Sequence, residues 1–158
     1  MRALRCSDGG ADLKGIMDYK SFLKAKSALK KPVGIEKEYP INPILFPFQQ
    51  ACVRFALRRG RAALFEDCGL GKTFQQLEWA RVIHEHSNKN VLILAPLAVA
   101  QQTISEGKKL DIPVRYCRAQ ADVRAGITIA NYEMLSHFDA GAFSGVVLDE
   151  SSILKNYS

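Results

Sequence analysis

The stretch EDCGLGKT, residues 66–73, places glycines, a lysine and a threonine in an order that could hold a phosphate group. Gly69 and Gly71 let the backbone turn so that its N–H groups point inward at an anion. Lys72 supplies a positive charge for phosphate oxygens, and Thr73 supplies a hydroxyl group for Mg²⁺. The octet therefore indicates a loop that binds the phosphates of a nucleotide.

The residues on either side of the octet decide between this loop and a simple surface turn. The general phosphate-loop pattern has a glycine six positions before the lysine, and this chain has Glu66 there. However, RAALF, residues 61–65, reads as a short buried strand, and a predicted helix follows the loop. A phosphate-binding loop works in this context, because the helix N-terminus adds a partial positive charge.

An acid pair at the end of another predicted strand supplies the second part of this chemistry, in VVLDE, residues 146–150. Asp149 would hold Mg²⁺, directly or through water, and Glu150 would position and activate the attacking water. Exposed acids often follow strands, so the pair alone is a weak signal. Together with Lys72 upstream it predicts a catalytic set for nucleotide hydrolysis.

Three helices are expected from residue 41 onward. The first is indicated by apolar residues at helical spacing, which are Phe48, Ala51, Cys52 and Phe55. Gly60 follows where the helix C-terminus would favour a left-handed residue. The second covers residues 72–86, with its apolar side toward a core: Phe74, Leu77, Ala80 and Ile83. The third begins near Val99 and runs toward Leu110.

Five strands are expected between and after these helices. They are RAALF (61–65), VLILA (91–95), VRYC (114–117), ITIA (127–130) and GVVLDE (145–150). Strands and helices alternate, and VLILA is almost wholly apolar, as in strands that are buried on both faces. The fold class is therefore α/β with a parallel sheet flanked by helices.

Composition separates residues 1–40 from residues 41–158. The first part carries nine Lys/Arg against five Asp/Glu. Within it, residues 18–31 predict a short amphipathic helix whose basic face is either solvated or in contact with a phosphate backbone, and the stretch before Met17 is expected to be disordered. The formal charge of +6 permits a nucleic-acid partner without requiring one.

The remaining composition indicates a soluble protein. No apolar run is long enough to span a bilayer, and the N-terminus has no apolar region typical of a signal peptide. The four cysteines are scattered without a CxxC pair, which favours reduced thiols in the cytosol over a disulfide framework or a zinc site. We therefore expect a cytoplasmic protein without membrane contact.

Five segments, in order, resemble motifs of superfamily 2 helicases, closest to the Swi/Snf-type branch. The likeness runs from about Leu45 to Asn156. LFPFQ resembles L-R-P-Y-Q, and EDCGLGKT resembles D-E-M-G-L-G-K-T, a branch pattern that has an acid where Glu66 stands. VLILAPLAVAQQ resembles the motif that sets a strand, a proline and a helix N-terminus against a nucleic-acid backbone. ITIANYEML resembles the T-Y-E motif, with Asn131 in place of threonine, and VVLDESSILKN resembles V-I-D-E-A-H-x-L-K-N.

The resemblance implies a RecA-like P-loop domain, the first motor domain of an ATP-dependent DNA helicase or translocase, with RNA not excluded. The chain is also similar to short phage-type helicases whose second motif reads DESS. This likeness implies that the protein acts in the cytoplasm of a bacterium or of a phage-infected host cell. The residues it implies for ATP are Gln49, which reads adenine, Cys68, Gly69, Leu70, Gly71, Lys72 and Thr73. Those for Mg²⁺ are Thr73 and Asp149. Those for nucleic acid are Pro96, Leu97, Asn131, Tyr132 and Glu133.

Two departures from the family pattern shape the expectations. Ser152 stands where the DEAH pattern has histidine, which puts coupling to later motifs in doubt. The chain ends at Ser158, before the S-A-T motif and the second RecA-like motor domain with its arginine fingers, so the domain is expected to be incomplete and slow in hydrolysis. Two alternatives stay open: a nucleotide-dependent nucleic-acid-binding module without hydrolysis, and the motor segment of a restriction enzyme.

In that family the strand leading to the S-A-T motif lies between the phosphate-loop strand and the Asp-Glu strand. The resemblance therefore implies that RAALF (61–65) and GVVLD (145–149) flank an empty slot, or that they close up wrongly.

Overall fold

The computed structural model describes residues 32–150. The predicted helix over residues 18–31 and the position of Ser152 lie outside the described residues. In chain order the elements are α1 (Pro47–Arg59), α2 (Lys72–Ser87), β1 (Asn90–Leu94), α3 (Leu97–Lys109), β2 (Val114–Tyr116), β3 (Ile127–Ala130) and β4 (Phe143–Leu148). Three short 3₁₀ segments join them, at Gln120–Asp122, Tyr132–His137 and Ala140–Ala142.

The four strands form one parallel sheet in the order β2-β3-β1-β4. Strand β1 is an interior strand, since Ile93 pairs with Ile129 of β3 on one side and with Val147 of β4 on the other. Helices flank the sheet, so the predicted α/β class is confirmed and the architecture is consistent with a RecA-like fold. Because all strands are parallel, their carboxyl ends lie at one edge of the sheet.

Burial follows the position of each strand. All four residues of β3 are buried, and so are four of the five residues of β1. Strand β4 instead alternates half-buried and exposed residues, with Val146 and Leu148 exposed. No described strand pairs with the outer side of β4, which makes it an edge strand with free backbone groups.

The prediction of a strand at RAALF, residues 61–65, is wrong. This segment is irregular and joins no sheet, and the Phe65 side chain is 96% exposed. Apolar composition favours an extended chain, but a strand also needs a neighbouring backbone to complete its hydrogen bonds. Strand β4 pairs only with β1, so Phe65 and Leu148 are not on paired strands and the outer side of β4 is open. The expected slot is not formed as predicted, because RAALF does not supply the second strand that would flank it.

Helix α1 is confirmed, but its buried side differs from the apolar stripe that predicted it. Phe48 and Phe55 are exposed, and the buried residues are Gln49, Val53 and Leu57. These three recur every fourth residue and so share one face. The helix ends as expected at Gly60, whose φ is +74°.

Helix α2 packs against β4 and brings the start of the helix to the end of that strand. The contact is close at Gly145, where an added Cβ atom would lie 2.9 Å from the Trp79 ring and 3.0 Å from Ile83. Phe74 and Ile83, both predicted to face a core, are partly buried against it. Gly145 thus lets α2 approach the sheet.

The buried acid Glu78 links α2 to the preceding chain. The Glu78 carboxylate is fully buried, accepts a hydrogen bond from the Asn42 backbone N–H at 2.8 Å, and pairs with Arg81 at 2.8 Å. This pairing, mainly the hydrogen bond to Glu78, raises the pKa of Arg81.

Among residues 32–150, no helix combines the length and the apolar composition needed to cross a bilayer.

Candidate nucleotide site

The glycine-rich loop leads directly into α2, which begins at Lys72. Gly69 has a φ of +83° and Gly71 a φ of +73°. Both values lie in the left-handed region, where a residue with a side chain would be strained. A Cβ atom at residue 71 would lie 2.4 Å from Nε2 of Gln49, whereas one at residue 69 would meet nothing within 4 Å. Both glycines therefore have the conformation that a phosphate loop requires, and the loop is closely packed only on its Gln49 side.

The ammonium group of Lys72 lies back over the loop. Its Nζ donates hydrogen bonds to the backbone oxygens of Glu66 and Asp67, at 3.1 and 3.0 Å. Phosphate oxygens carry negative charge and are stronger acceptors for an ammonium donor than neutral carbonyls are. The Lys72 ammonium group thus already lies within the loop, and its N–H donors could bond to a phosphate in place of these backbone oxygens.

The side chain of Gln49 ties the start of α1 to the loop. Its Oε1 accepts a hydrogen bond from the Phe46 backbone N–H, and its Nε2 donates one to the Leu70 backbone oxygen, both at 2.8 Å. The side chain is buried. Gln49 therefore supports the loop directly, and its role in reading adenine stays a prediction.

A second tie connects the loop to α2 through Glu66, the residue that replaces the usual glycine. The Glu66 carboxylate accepts a hydrogen bond from Nε2 of Gln75 at 2.8 Å. The Oε1 atom of Gln75 is buried and accepts no hydrogen bond within residues 32–150. Burial, followed by the neighbouring Glu66 carboxylate, raises the pKa of the Cys52 thiol on α1. The acid at position 66 thus anchors the loop between two helices.

A hydrogen bond links Asp149 to the N-terminal part of α2, the helix that follows the phosphate loop. Its Oδ1 accepts a hydrogen bond from Nε2 of Gln76 at 2.8 Å. Gln76 lies three residues after Thr73, so the two side chains are on the same face of the helix. The Thr73 hydroxyl and the Asp149 carboxylate therefore belong to one region.

These oxygens fit Mg²⁺, which prefers hard oxygen ligands and is held by one or two carboxylates together with substrate phosphates. Residues 32–150 contain no group of three or more His, Cys, Asp or Glu that could hold a metal ion by themselves. A cation at Thr73 and Asp149 would thus take its other ligands from phosphate oxygens and water.

The backbone around the acid pair is tightly constrained. The Asp149 backbone N–H donates to the backbone oxygen of Leu94 at 2.8 Å, and the hydroxyl of Tyr132 donates to the backbone oxygen of Asp149 at 2.5 Å. Glu150 follows with a φ of +52°, which is uncommon for a residue with a side chain. Burial and then the charges of Asp149 and Glu150 raise the pKa of Tyr132 to about 12.

The residues predicted for nucleic acid lie at the same edge of the sheet. Pro96 and Leu97 follow β1, and Leu97, the first residue of α3, is 61% exposed. Asn131 and Tyr132 follow β3 and are both buried, so that Glu133 is the exposed residue of its group. Asn131 accepts from the Tyr116 hydroxyl and donates to Glu133.

Gln75 and Gln76 belong to the site, although neither residue was predicted from the sequence. Both donate a side-chain N–H to an acid, the first to Glu66 and the second to Asp149. The sequence offered no clear signal, because a side-chain amide needs a protein partner only where it is buried, and burial depends on the fold. The partner of Gln76, 73 residues away along the chain, could not be read from spacing.

Comparisons with known proteins agree with the motifs at a coarse level. No protein-family model matches the chain. Over 123 residues it is 30% identical to the SWI/SNF-related matrix-associated actin-dependent regulator of chromatin subfamily A-like protein 1 of Xenopus tropicalis, and 32% identical to that of Bos taurus. Each match includes 71% of this chain and 13% of the relative, so the chain spans a small part of these curated relatives. The similarity supports a SNF2-like helicase family.

Proposed function

We propose that this chain belongs to the SNF2-like helicases and is the ATP- and Mg²⁺-binding N-terminal part of an ATP-dependent DNA helicase or translocase. The observation that carries the proposal is the hydrogen bond between Gln76 and Asp149. It joins the helix that begins in the glycine-rich loop to the strand that ends in the acid pair. This bond supports a single site in which the loop would hold phosphates and the acid would hold their cation.

Each residue of the site has a distinct proposed role. The loop amides and Lys72 bind the β- and γ-phosphates of ATP, and the Thr73 hydroxyl and the Asp149 carboxylate would hold the ion. Bound Mg²⁺ would neutralise charge on the phosphates. Glu150 orients the attacking water and accepts its proton.

DNA is the proposed macromolecular partner, with RNA as the alternative. The support is positional, since Leu97 and Glu133 lie exposed at the sheet edge that also carries Asp149. Movement on nucleic acid would need a second motor domain to complete the ATP cleft. A phosphate-release assay separates this proposal from a binding module without hydrolysis: the 158-residue chain alone is expected to turn over barely above background, and addition of a second motor domain is expected to raise the rate.

Calorimetric titration with ATP and MgCl₂ tests the nucleotide site. Lys72→Ala removes the charge that would meet the phosphates and is expected to abolish binding. Lys108→Ala, at an exposed position near the end of α3, is the matched control and should bind as the unmodified chain does. Equal ATP affinity in Lys72→Ala and the unmodified chain would remove the basis for the assignment.

The proposed adenine contact is tested by comparing ATP with CTP. If Gln49 reads the base, Gln49→Ala lowers affinity for ATP more than for CTP. If the side chain only supports the loop through Leu70, affinity for both nucleotides falls equally.

A further inference from the structure

The hydroxyl group of Tyr132 reaches across the carboxyl ends of three neighbouring strands. Tyr132 stands two residues after the end of β3, and β1 lies between β3 and β4 in the sheet. The hydroxyl donates to the backbone oxygen of Asp149, just after β4, at 2.5 Å. The Asp149 N–H meanwhile donates to Leu94 of β1. Both peptide groups that flank the Asp149 side chain are therefore held.

Packing fixes the ring that carries this hydroxyl. Tyr132 is buried in a small cluster with Leu92, Leu94 and Ala130, against which Phe143 also packs. A ring so placed is not available for surface contact with nucleic acid. A tyrosine hydroxyl is protonated at neutral pH and can therefore donate this hydrogen bond.

The peptide group that Tyr132 holds is the one that leads into Glu150. Glu150 has a left-handed backbone conformation, with a φ of +52°. A residue with a side chain keeps such a conformation only when its surroundings enforce it. In the described part of the chain, the Tyr132 hydroxyl is the side-chain donor to this peptide.

We propose that Tyr132 is a positioning residue: its hydroxyl holds the peptide group between Asp149 and Glu150 and thereby directs both carboxylates toward the nucleotide site. The proposal rests on the function proposed above, because it assigns a purpose to the geometry of that site. Tyr132 itself touches neither nucleotide nor metal in this role. It acts through the backbone of the acid pair.

Two hydroxyl deletions test the proposal with a matched control. Tyr132→Phe keeps the buried ring and removes only the donor to Asp149. Tyr116→Phe removes a hydroxyl that bonds Asn131 at 3.3 Å, at the same sheet edge, without contact to the acid pair. For each chain, the affinity for ATP is measured with and without MgCl₂, and amide hydrogen exchange of the segment that ends at Glu150 is measured without nucleotide.

In Tyr132→Phe, we expect the gain in ATP affinity from Mg²⁺ to fall about 5- to 10-fold, the range that loss of one hydrogen bond produces. Affinity without Mg²⁺ should be unchanged, and exchange near Glu150 should be faster. Tyr116→Phe should keep both the Mg²⁺ gain and the exchange rate of the unmodified chain.

The outcomes separate the two proposals. If the unmodified chain binds no ATP, the proposed function fails, while the exchange measurement still tests whether Tyr132 holds the turn. If Tyr132→Phe keeps the full Mg²⁺ gain or the original exchange rate, the positioning role is overturned. Equal losses in Tyr116→Phe would also overturn it, since they would show a general effect of hydroxyl removal.

Discussion

Replacement of Gly71 by alanine is expected to destabilise the protein far more than the same change at Gly69. Both glycines have positive φ, so alanine is strained at either position. The two sites differ in their surroundings. A Cβ atom at residue 71 would lie 2.4 Å from Nε2 of Gln49, and one at residue 69 would meet nothing within 4 Å.

The size of the difference follows from these contacts. A left-handed conformation costs a non-glycine residue about 1–2 kcal/mol, and this cost applies to both variants. Gly71→Ala must also displace Nε2 of the buried Gln49 amide from its hydrogen bond to Leu70. The lost bond and the buried donor left without a partner add about 1–3 kcal/mol. We therefore expect a loss of about 2–5 kcal/mol for Gly71→Ala, from the sum of these two contributions, and about 1–2 kcal/mol for Gly69→Ala.

Urea unfolding of both variants, each with and without Gln49→Ala, forms a double-mutant cycle that isolates the contact. Once Gln49 is shortened, Gly71→Ala should cost no more than Gly69→Ala. The reasoning is refuted if the two glycine variants lose equal stability in the original background, or if the extra cost at residue 71 persists without the Gln49 amide.

Three further predictions concern the core, the sheet edge and pH. Glu78→Gln should lower the free energy of unfolding by about 2–3 kcal/mol in urea, because it removes a buried charge from its donors; Glu85→Gln, on the exposed side of the same arginine, should change it by less than about 1 kcal/mol, and equal losses would contradict this account. Val146→Lys should reduce self-association measured by light scattering, because a charge on an open edge strand opposes strand pairing between chains, and unchanged scattering would count against the open edge. The pKa of Tyr132 is raised from 10.0 to about 12, so the stability that its protonated form contributes is present below pH 10 and lost as pH rises toward 12. Tyr132→Phe should therefore lose less stability over this interval than the unmodified chain, and parallel pH profiles would refute the assignment.

Local sequence predicted most of the regular elements. Apolar runs of four or five residues predicted β1 and β3, and these are the most deeply buried strands. Regular spacing predicted the helices, and Gly60 marked the end of α1. Such patterns depend on neighbours within a few residues, which is why they can be read without knowledge of the fold.

The same local patterns were misleading where a partner was needed. RAALF, residues 61–65, has the composition of a strand, but no described strand lies beside it. In α1, the aromatic stripe through Phe48 and Phe55 predicted the helix, while the core took the face that carries Val53. Composition cannot tell which side of an element meets the rest of the chain.

The sequence by itself therefore determined that a glycine-rich loop precedes a helix and that an acid pair ends a strand, because each is a continuous segment. Only the tertiary structure decided that they meet. Gln76 and Asp149 are 73 residues apart, and Tyr132 reaches Asp149 from the far side of β1. Strand order set these distances, and strand order results from long-range packing and hydrogen bonding that no short stretch of residues encodes.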